Sequence, residues 1–395
     1  MAKVPPQVTS PFHGAGPALP QEAAAPLPVG AAVGGYVIEA VLHEGPHGHV
    51  YRARDAAGQP CALKEFFPRG LAVRREDGTM RARQPADAIR LSVALQAFRD
   101  ESQALSGLRQ RGLVEVRETV EAWRTLFRVM PLLEGVTLAQ HVAQRAGVPD
   151  AAEVAAFVTG LMGPLGALHA SGVVHGNVRP EQILLPAGRG AGMPVLLGLG
   201  TVAEEIDGPP RGPWTAPERG DRLRGGRVTS AADLYALAAC AWFLATGERP
   251  PSADERAEGD PWRARDGFEA LRDADGGRAS AVLAQALEAA LSMAPEARPQ
   301  RVGDLQRLLD GKPSVRLVGE SAPAPLWVGE TPDRDAQRGD IEQFAVRADD
   351  AAPTAPMPRP AGPAAGRSRT RWLVLALIAV AGAGLLIVLR RLAEG

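Results

Sequence analysis

The stretch His43–Val50 contains the first residues of the chain that could bind a ligand. Its glycines, Gly45 and Gly48, would let backbone N–H groups approach a phosphate without a Cβ in the way. A polar turn and a further apolar segment follow, and this segment carries Ala62 and Lys64.

Three histidines, His43, His47 and His49, crowd the same stretch. Histidines are common metal ligands, but no framework of carboxylates or cysteines accompanies these three at the spacing of a closed site. We therefore interpret them as solvent-facing polar residues of the loop, and a metal site remains the alternative.

The second candidate stretch is Val173–Leu185, which reads VVHGNVRPEQILL. It resembles the catalytic loop of bacterial Hanks-type Ser/Thr protein kinases, His-Arg-Asp-x-Lys-Pro-x-Asn-Ile-Leu-Leu, with His175 on the family's His. On this resemblance the residues that perform phosphoryl transfer are changed. The degenerate positions are Asn177 for the catalytic Asp, Arg179 for the Lys, Gln182 for the magnesium-binding Asn and, further along, Gly198 for the Asp of Asp-Phe-Gly.

Further motifs similar to those of this family follow one another in the family's order. The resemblance implies ATP as the cofactor, and it implies an ion pair between Lys64 and Glu101. The positions that would bind or enclose the nucleotide are Gly45, Gly48, Val50, Ala62, Lys64, Glu101, the gatekeeper Met130 and the hinge residue Leu133. The scaffold positions are Leu105, His175 and Leu199 of an apolar spine, Asp233 of a buried helix, Glu218 of Ala-Pro-Glu and its partner Arg298.

The implied fold class is α+β, a bilobal protein-kinase-like fold within residues 35–312. A β-rich N-lobe would cover residues 35–131, and a helical C-lobe would cover 134–312. Alternating apolar residues predict strands at Tyr36–Leu42, Val50–Arg54 and from Cys61 onward. Two more strands are expected at Leu113–Arg117 and Leu126–Met130.

The changed residues weaken the chemistry that the resemblance would otherwise imply. An amide at Asn177 has no useful basicity near neutral pH, and Gly198 has no side chain with which to hold a metal. Gln182 and the neighbouring Glu181 are weak candidates for metal ligands. We therefore expect a pseudokinase that binds ATP without magnesium, if it binds ATP. The alternatives are an active Ser/Thr kinase with unusual metal ligands and an interaction domain that binds no nucleotide.

Composition separates the remaining segments from this domain. Residues 1–34 and the linker 313–370 are rich in Pro and Ala, and we expect both to be disordered. Residues 372–389 read WLVLALIAVAGAGLLIVL, which as a helix would extend about 27 Å and predicts a transmembrane segment. A short tail, 390–395, follows.

These features predict a location and a class of partner. We expect a single-pass anchor in the bacterial inner membrane, with the kinase-like domain in the cytoplasm because no export signal precedes it. The expected partner is a cytoplasmic protein or an active kinase. A net charge of −1 gives no reason to expect nucleic-acid binding, and Cys61 and Cys240 are expected to be buried free thiols.

Overall fold

The computed structural model describes residues 25–147, 149–187, 193–208, 210–220, 229–258 and 278–312. The predicted linker, transmembrane segment and tail (313–370, 372–389 and 390–395) lie outside the described residues, as do the first 24 residues.

A six-stranded antiparallel sheet forms the first lobe, with strand order β1-β2-β3-β4-β8-β7. Its strands are β1 Ala32–Val33, β2 Tyr36–Gly45, β3 Gly48–Arg54, β4 Pro60–Phe66, β7 Glu118–Ala122 and β8 Thr125–Pro131. In β3 the buried positions alternate, as expected for a sheet with one covered face. The predicted strands in β2, β3, β4 and β8 are confirmed.

The first lobe begins earlier than the expected boundary at residue 35. Leu27 is buried against the sheet, and its N–H donates to the Tyr51 hydroxyl at 3.0 Å. The carbonyl of Ala25 accepts a hydrogen bond from Arg74, and β1 adds an edge strand. Residues 25–34 were expected to be disordered from their composition, but one leucine and one edge strand are enough to fix them.

The segment predicted as a strand at Leu113–Arg117 was also placed wrongly. Leu113 forms an isolated parallel bridge to Leu196, and the N–H of Val114 donates to the Leu196 carbonyl. Regular pairing begins only at Glu118, in β7. The apolar side chains of this segment therefore serve the contact with the second lobe.

Between β4 and β7 the chain forms a small hairpin and a long helix. The hairpin consists of β5 Ala72–Arg74 and β6 Met80–Ala82, and helix α1 covers Ala88–Ser106. Phe98 and Leu105 of α1 are buried, as the apolar stripe of the sequence predicts.

The second lobe is helical and carries a three-stranded sheet in the order β11-β10-β9. These strands are β9 Gly135–Thr137, β10 Ile183–Pro186 and β11 Val195–Leu196. The helices are α2 Leu138–Gln144, α3 Ala151–Ala170, α4 Thr201–Asp207, α5 Pro217–Gly220, α6 Ser230–Thr246, α7 Ala253–Ala257, α8 Arg278–Ala290 and α9 Val302–Leu309. Gly247, at φ 78°, ends α6 in the left-handed conformation that favours glycine.

Helix α3 is the one helix of the described segments that is long and apolar enough to cross a membrane. Its Leu161, Leu165 and Leu168 are fully buried against α6 and its neighbours. The apolar composition of α3 therefore reflects its place at the centre of the second lobe.

The two lobes share one hydrophobic cluster. Leu105 of α1 and Leu199, which precedes α4, belong to the same cluster as the buried residues of α3 and α6. His175 is fully buried as well. The expected spine residues Leu105, His175 and Leu199 are thus all interior.

Candidate nucleotide site

The glycine-containing hairpin is tightly attached to the rest of the first lobe. A Cβ at Gly48 would lie 1.9 Å from the carbonyl oxygen of Glu65, so the close approach of β3 and β4 already requires a glycine there. The carbonyls of Pro46 and His47, at the tip, accept hydrogen bonds from Arg69 and Phe67. The glycine that the sequence analysis assigned to phosphate binding therefore also has a structural reason.

The three histidines have three different environments. His47 forms an ion-pair contact of 2.7 Å with Asp207 at the end of α4. His49 is fully buried, and its ring lies 5.4 Å from that of Phe67, so the expectation of a solvent-facing residue was wrong for His49. Within the described segments no cluster of His, Cys, Asp and Glu could hold a metal ion.

Glu101 binds a different cation from the expected Lys64. Its carboxylate accepts a hydrogen bond from Arg128 of β8 at 3.1 Å and another from the N–H of Leu199 at 3.0 Å. Arg128 is buried, donates to Ser102 at 3.1 Å and lies 4.6 Å from the centre of the Phe98 ring. The predicted Lys64–Glu101 ion pair is absent from the described contacts, in which the carboxylate pairs with Arg128 through one of its oxygens.

The ammonium of Lys64 lies beside Gly198 instead. A Cβ built on Gly198 would be 2.9 Å from Lys64 Nζ and 3.7 Å from the side-chain oxygens of Gln182 and Glu101. Burial and the positive charge of Arg128 lower the pKa of Lys64 to about 8, although Glu101 opposes this shift. Where the related kinases are expected to hold a metal ligand, this chain therefore places a cation.

The two weak candidates for metal ligands near Gly198 have other partners in the structure. The Gln182 side-chain oxygen accepts a hydrogen bond from the Gly198 N–H at 3.3 Å, so this oxygen is already engaged. Glu181 is half-exposed and lies 3.7 Å from Arg179. Magnesium prefers several oxygen ligands in octahedral geometry, and neither weak candidate from the sequence offers them here.

The catalytic-loop frame is intact around the changed residues. The carboxylate of Asp233 accepts 2.8 Å hydrogen bonds from the N–H groups of His175 and Gly176, and it lies 2.8 Å from His169 Nε2. Burial raises the pKa of Asp233, but the hydrogen bond and charge of His169 outweigh this and hold that pKa below its usual value. Burial lowers the pKa of the His175 imidazole, so this residue is held in its neutral form. The N–H of Asn177 donates to His175 Nδ1 at 3.2 Å, which fixes the loop where the base would stand.

A second feature of this loop is the space at Gly176, whose φ is 67°. The guanidinium of Arg219 donates to the Gly176 carbonyl, and a Cβ at Gly176 would lie 3.2 Å from Arg219 Nη1. The same guanidinium donates to Glu204 of α4 at 3.0 Å. Arg219 thus joins the catalytic loop to the helix that follows Gly198.

The remaining predicted residues fall on the following elements. Arg298 forms two hydrogen bonds to Glu218, at 2.8 and 2.9 Å. Val50 and Ala62 lie in β3 and β4, on the sheet above the cleft, and Met130 and Leu133 lie at the end of β8 and just beyond it. Gly45 pairs with Gly48 at the hairpin tip.

Sequence reasoning missed Arg128 and Arg219. Arg128 could have been found from its place at the centre of the apolar run Leu126–Met130. An arginine buried in such a run requires a partner for its charge. The signal for Arg219 was weaker, because an arginine directly after Glu218 reads as an ordinary surface charge.

The solved structures most informative for the fold are kinase domains. A structure described as the PpkA-294 apo form matches with a TM-score of 0.63 and 26% identity, over 72% of this chain and 99% of that chain. The PknI kinase domain of Mycobacterium tuberculosis matches with a TM-score of 0.53 and 24% identity, over 72% of this chain. This chain therefore has a protein-kinase-like fold.

Its homologues are bacterial Ser/Thr protein kinases. The Ser/Thr protein kinase PknL of Mycobacterium bovis is 30% identical over 227 residues, which are 55% of this chain and 51% of PknL. PkaB of Streptomyces coelicolor is 36% identical over 167 residues, 39% of each chain. The alignments thus span about half the length of these curated relatives or less, and no family model matches the chain.

Proposed function

We propose that this chain is a pseudokinase: a kinase-like domain that binds ATP without magnesium and regulates a partner protein without transferring phosphate. The observation that carries the proposal is the position of Lys64 Nζ, 2.9 Å from a Cβ on Gly198. A cation occupies the place from which a metal ligand would act, and magnesium would meet repulsion there.

The position of Asn177 supports the same conclusion. Phosphoryl transfer to a hydroxyl group uses a carboxylate to receive the proton, and an amide cannot do this. The loss of an arranged base costs about 10² to 10⁴ in rate. The loss of the metal charge on the phosphates adds several kcal/mol to the barrier. Together these losses leave binding as the activity that the cleft supports.

The scaffold of the fold is retained, and this gives the proposed regulator a defined shape. Asp233 holds the catalytic loop, and the Glu218–Arg298 pair holds the segment after α4. We propose that this rigid domain acts as a scaffold or allosteric partner for a cytoplasmic protein or an active kinase. On the apolar segment 372–389, we propose that the chain is anchored in the bacterial inner membrane.

The test is a thermal-shift titration of the purified protein with ATP, with and without magnesium, beside Lys64→Ala. We expect stabilisation by ATP in EDTA, of about 2.7 kcal/mol at a hundred times the dissociation constant. We expect no such stabilisation in Lys64→Ala, and no transfer of the γ-phosphate to any protein in either form.

The second candidate is an active Ser/Thr protein kinase, and the names of the homologues favour it. It requires magnesium-dependent transfer of the γ-phosphate that is lost in Lys64→Ala. A single substrate labelled under those conditions would replace the pseudokinase proposal. If ATP fails to stabilise the protein with or without magnesium, the nucleotide part is withdrawn and a pure interaction domain remains.

A further inference from the structure

Two cations and one carboxylate meet at the back of the cleft. Lys64 of β4 and Arg128 of β8 are direct partners in the antiparallel register, so their side chains start from the same face of the sheet. The carboxylate that faces both is Glu101 of α1. Like charges that lie directly opposite in a sheet repel each other, and of the two cations it is Arg128 that forms the ion pair with the carboxylate.

Arg128 takes the carboxylate because its surroundings fit a guanidinium. Its side chain is 1% exposed, and its donors contact both Glu101 and Ser102. The Phe98 ring, 4.6 Å away, adds a cation–π contact. A guanidinium retains its charge when buried, whereas a lysine amine loses its proton readily. The pairing therefore favours Arg128 over Lys64.

Lys64 forms no ion pair among the described contacts and lies beside Gly198, where Gln182 and Glu101 supply the nearest side-chain oxygens. Its ammonium lies near the position that a side chain on Gly198 would occupy, with the amide of Gln182 close by. The titratable groups that face Lys64 are Arg128 from β8 and Glu101 from α1, and the chain at Gly198 and Gln182 contributes none. An ammonium presented in this way is a ready partner for an anionic oxygen.

We propose that Arg128 is a positioning residue that holds Glu101 away from Lys64, so that Lys64 binds the phosphates of a nucleoside triphosphate that carries no metal ion. This inference deepens the proposed function and rests on its nucleotide part. Free ATP carries more negative charge than its magnesium complex, so the cation at Gly198 selects the free form. Magnesium then acts as a competitor for the ligand.

The test compares ATP affinity in EDTA between the parent protein and Arg128→Met, a variant that removes the cation and keeps an apolar side chain of similar length. With Arg128 absent, Glu101 captures Lys64, and we expect ATP to bind about tenfold more weakly. The double variant Arg128→Met with Glu101→Gln also removes the carboxylate that would pair with Lys64, and we expect it to regain most of the affinity for ATP. Arg128→Lys retains a cation beside Glu101 and is the conservative control.

The pH dependence of ATP binding separates this role from a merely structural one. Binding needs the charged ammonium, so affinity in the parent should fall as the pH rises through the pKa of Lys64, about 8. In Arg128→Met a repelling charge is lost and a carboxylate is gained as partner, so this midpoint should move upward. Excess magnesium should weaken ATP binding in the parent.

The possible negative results of these experiments can be told apart. The positioning role is wrong if Arg128→Met binds ATP as tightly as the parent and with the same pH midpoint. It is also wrong if the double variant, folded by circular dichroism, regains no affinity. In either case the pseudokinase proposal stands. If magnesium strengthens binding in the parent, the selection for metal-free ATP is wrong. Magnesium-dependent phosphoryl transfer by the parent would overturn the proposed function itself.

Discussion

At the scale of single residues, the cleft differs from that of a kinase by rearrangement as well as by loss. On the proposed correspondence with kinases, Gly198 stands where a metal ligand would, and the space beside it holds Lys64. On the same correspondence Gly176 stands where the related motif has an arginine, and Arg219 donates to the Gly176 carbonyl. In both places a cation lies within 3.2 Å of the position of a Cβ, so we expect that a single substitution there does not create a magnesium site.

Gly198→Asp should therefore give an ion pair with Lys64 and no magnesium site. The ammonium ends a flexible side chain that can shift to admit the new atoms, so we expect the variant to fold. The new carboxylate neutralises Lys64, and we expect the stabilisation by ATP in EDTA to disappear, a loss of about 2.7 kcal/mol at saturating ligand.

Gly198→Asn is the matched control, because it has the same shape without the charge and should retain most of the ATP stabilisation. Thermal shift with and without magnesium measures both variants. Magnesium-dependent stabilisation of Gly198→Asp by ATP would contradict the expectation.

The sequence predicted the scaffold residues better than the ligand residues. Asp233 and the Glu218–Arg298 pair were predictable because each satisfies backbone groups or a single charge in a fixed frame. The partner of Glu101 was not predictable, because two cations compete for it and the outcome depends on burial and on the Phe98 ring. The close approach of Gly48 to the Glu65 carbonyl likewise depends on the spacing of the two strands, which a sequence motif does not contain.

At the scale of elements, helix α4 connects the parts that enclose the cleft. Val202 of α4 is buried in the same cluster as Phe98 of α1. Asp207, at its end, contacts His47 in the glycine-containing hairpin, and Glu204 contacts Arg219. The helix therefore contacts both the first lobe and, through Arg219, the loop at Gly176.

Glu204→Ala should loosen this connection. Arg219 is largely buried and would lose the carboxylate that balances its charge, which we expect to cost about 2 kcal/mol of unfolding free energy. The neighbouring Glu205 is exposed, and Glu205→Ala should change stability by less than about 0.5 kcal/mol. Urea denaturation measures the difference, and hydrogen exchange should increase in 201–207 for Glu204→Ala alone. Equal stability of the two variants would show that the ion pair does not hold α4.

At the scale of the whole molecule, the resemblance to Ser/Thr protein kinases implied the two lobes but not where the first lobe begins. Residues 25–34 have the composition of a disordered tail, yet they supply one anchoring leucine and an edge strand. A single buried side chain does not change the composition of a segment, so compositional reasoning cannot detect it. The same limitation applies to the segment 113–117, whose apolar residues serve the contact between lobes rather than a strand.

Leu27→Ala should measure how firmly this beginning belongs to the domain. Leu27 is 1% exposed, whereas Val29, two residues along the same segment, is 69% exposed. Removing the buried side chain leaves a cavity against the sheet, and we expect a loss of about 2 to 4 kcal/mol of unfolding free energy. Val29→Ala, the matched control, should cost less than about 0.5 kcal/mol. If Leu27→Ala unfolds at the same urea concentration as the control, then residues 25–34 lie on the lobe without stabilising it, and the domain begins at β2.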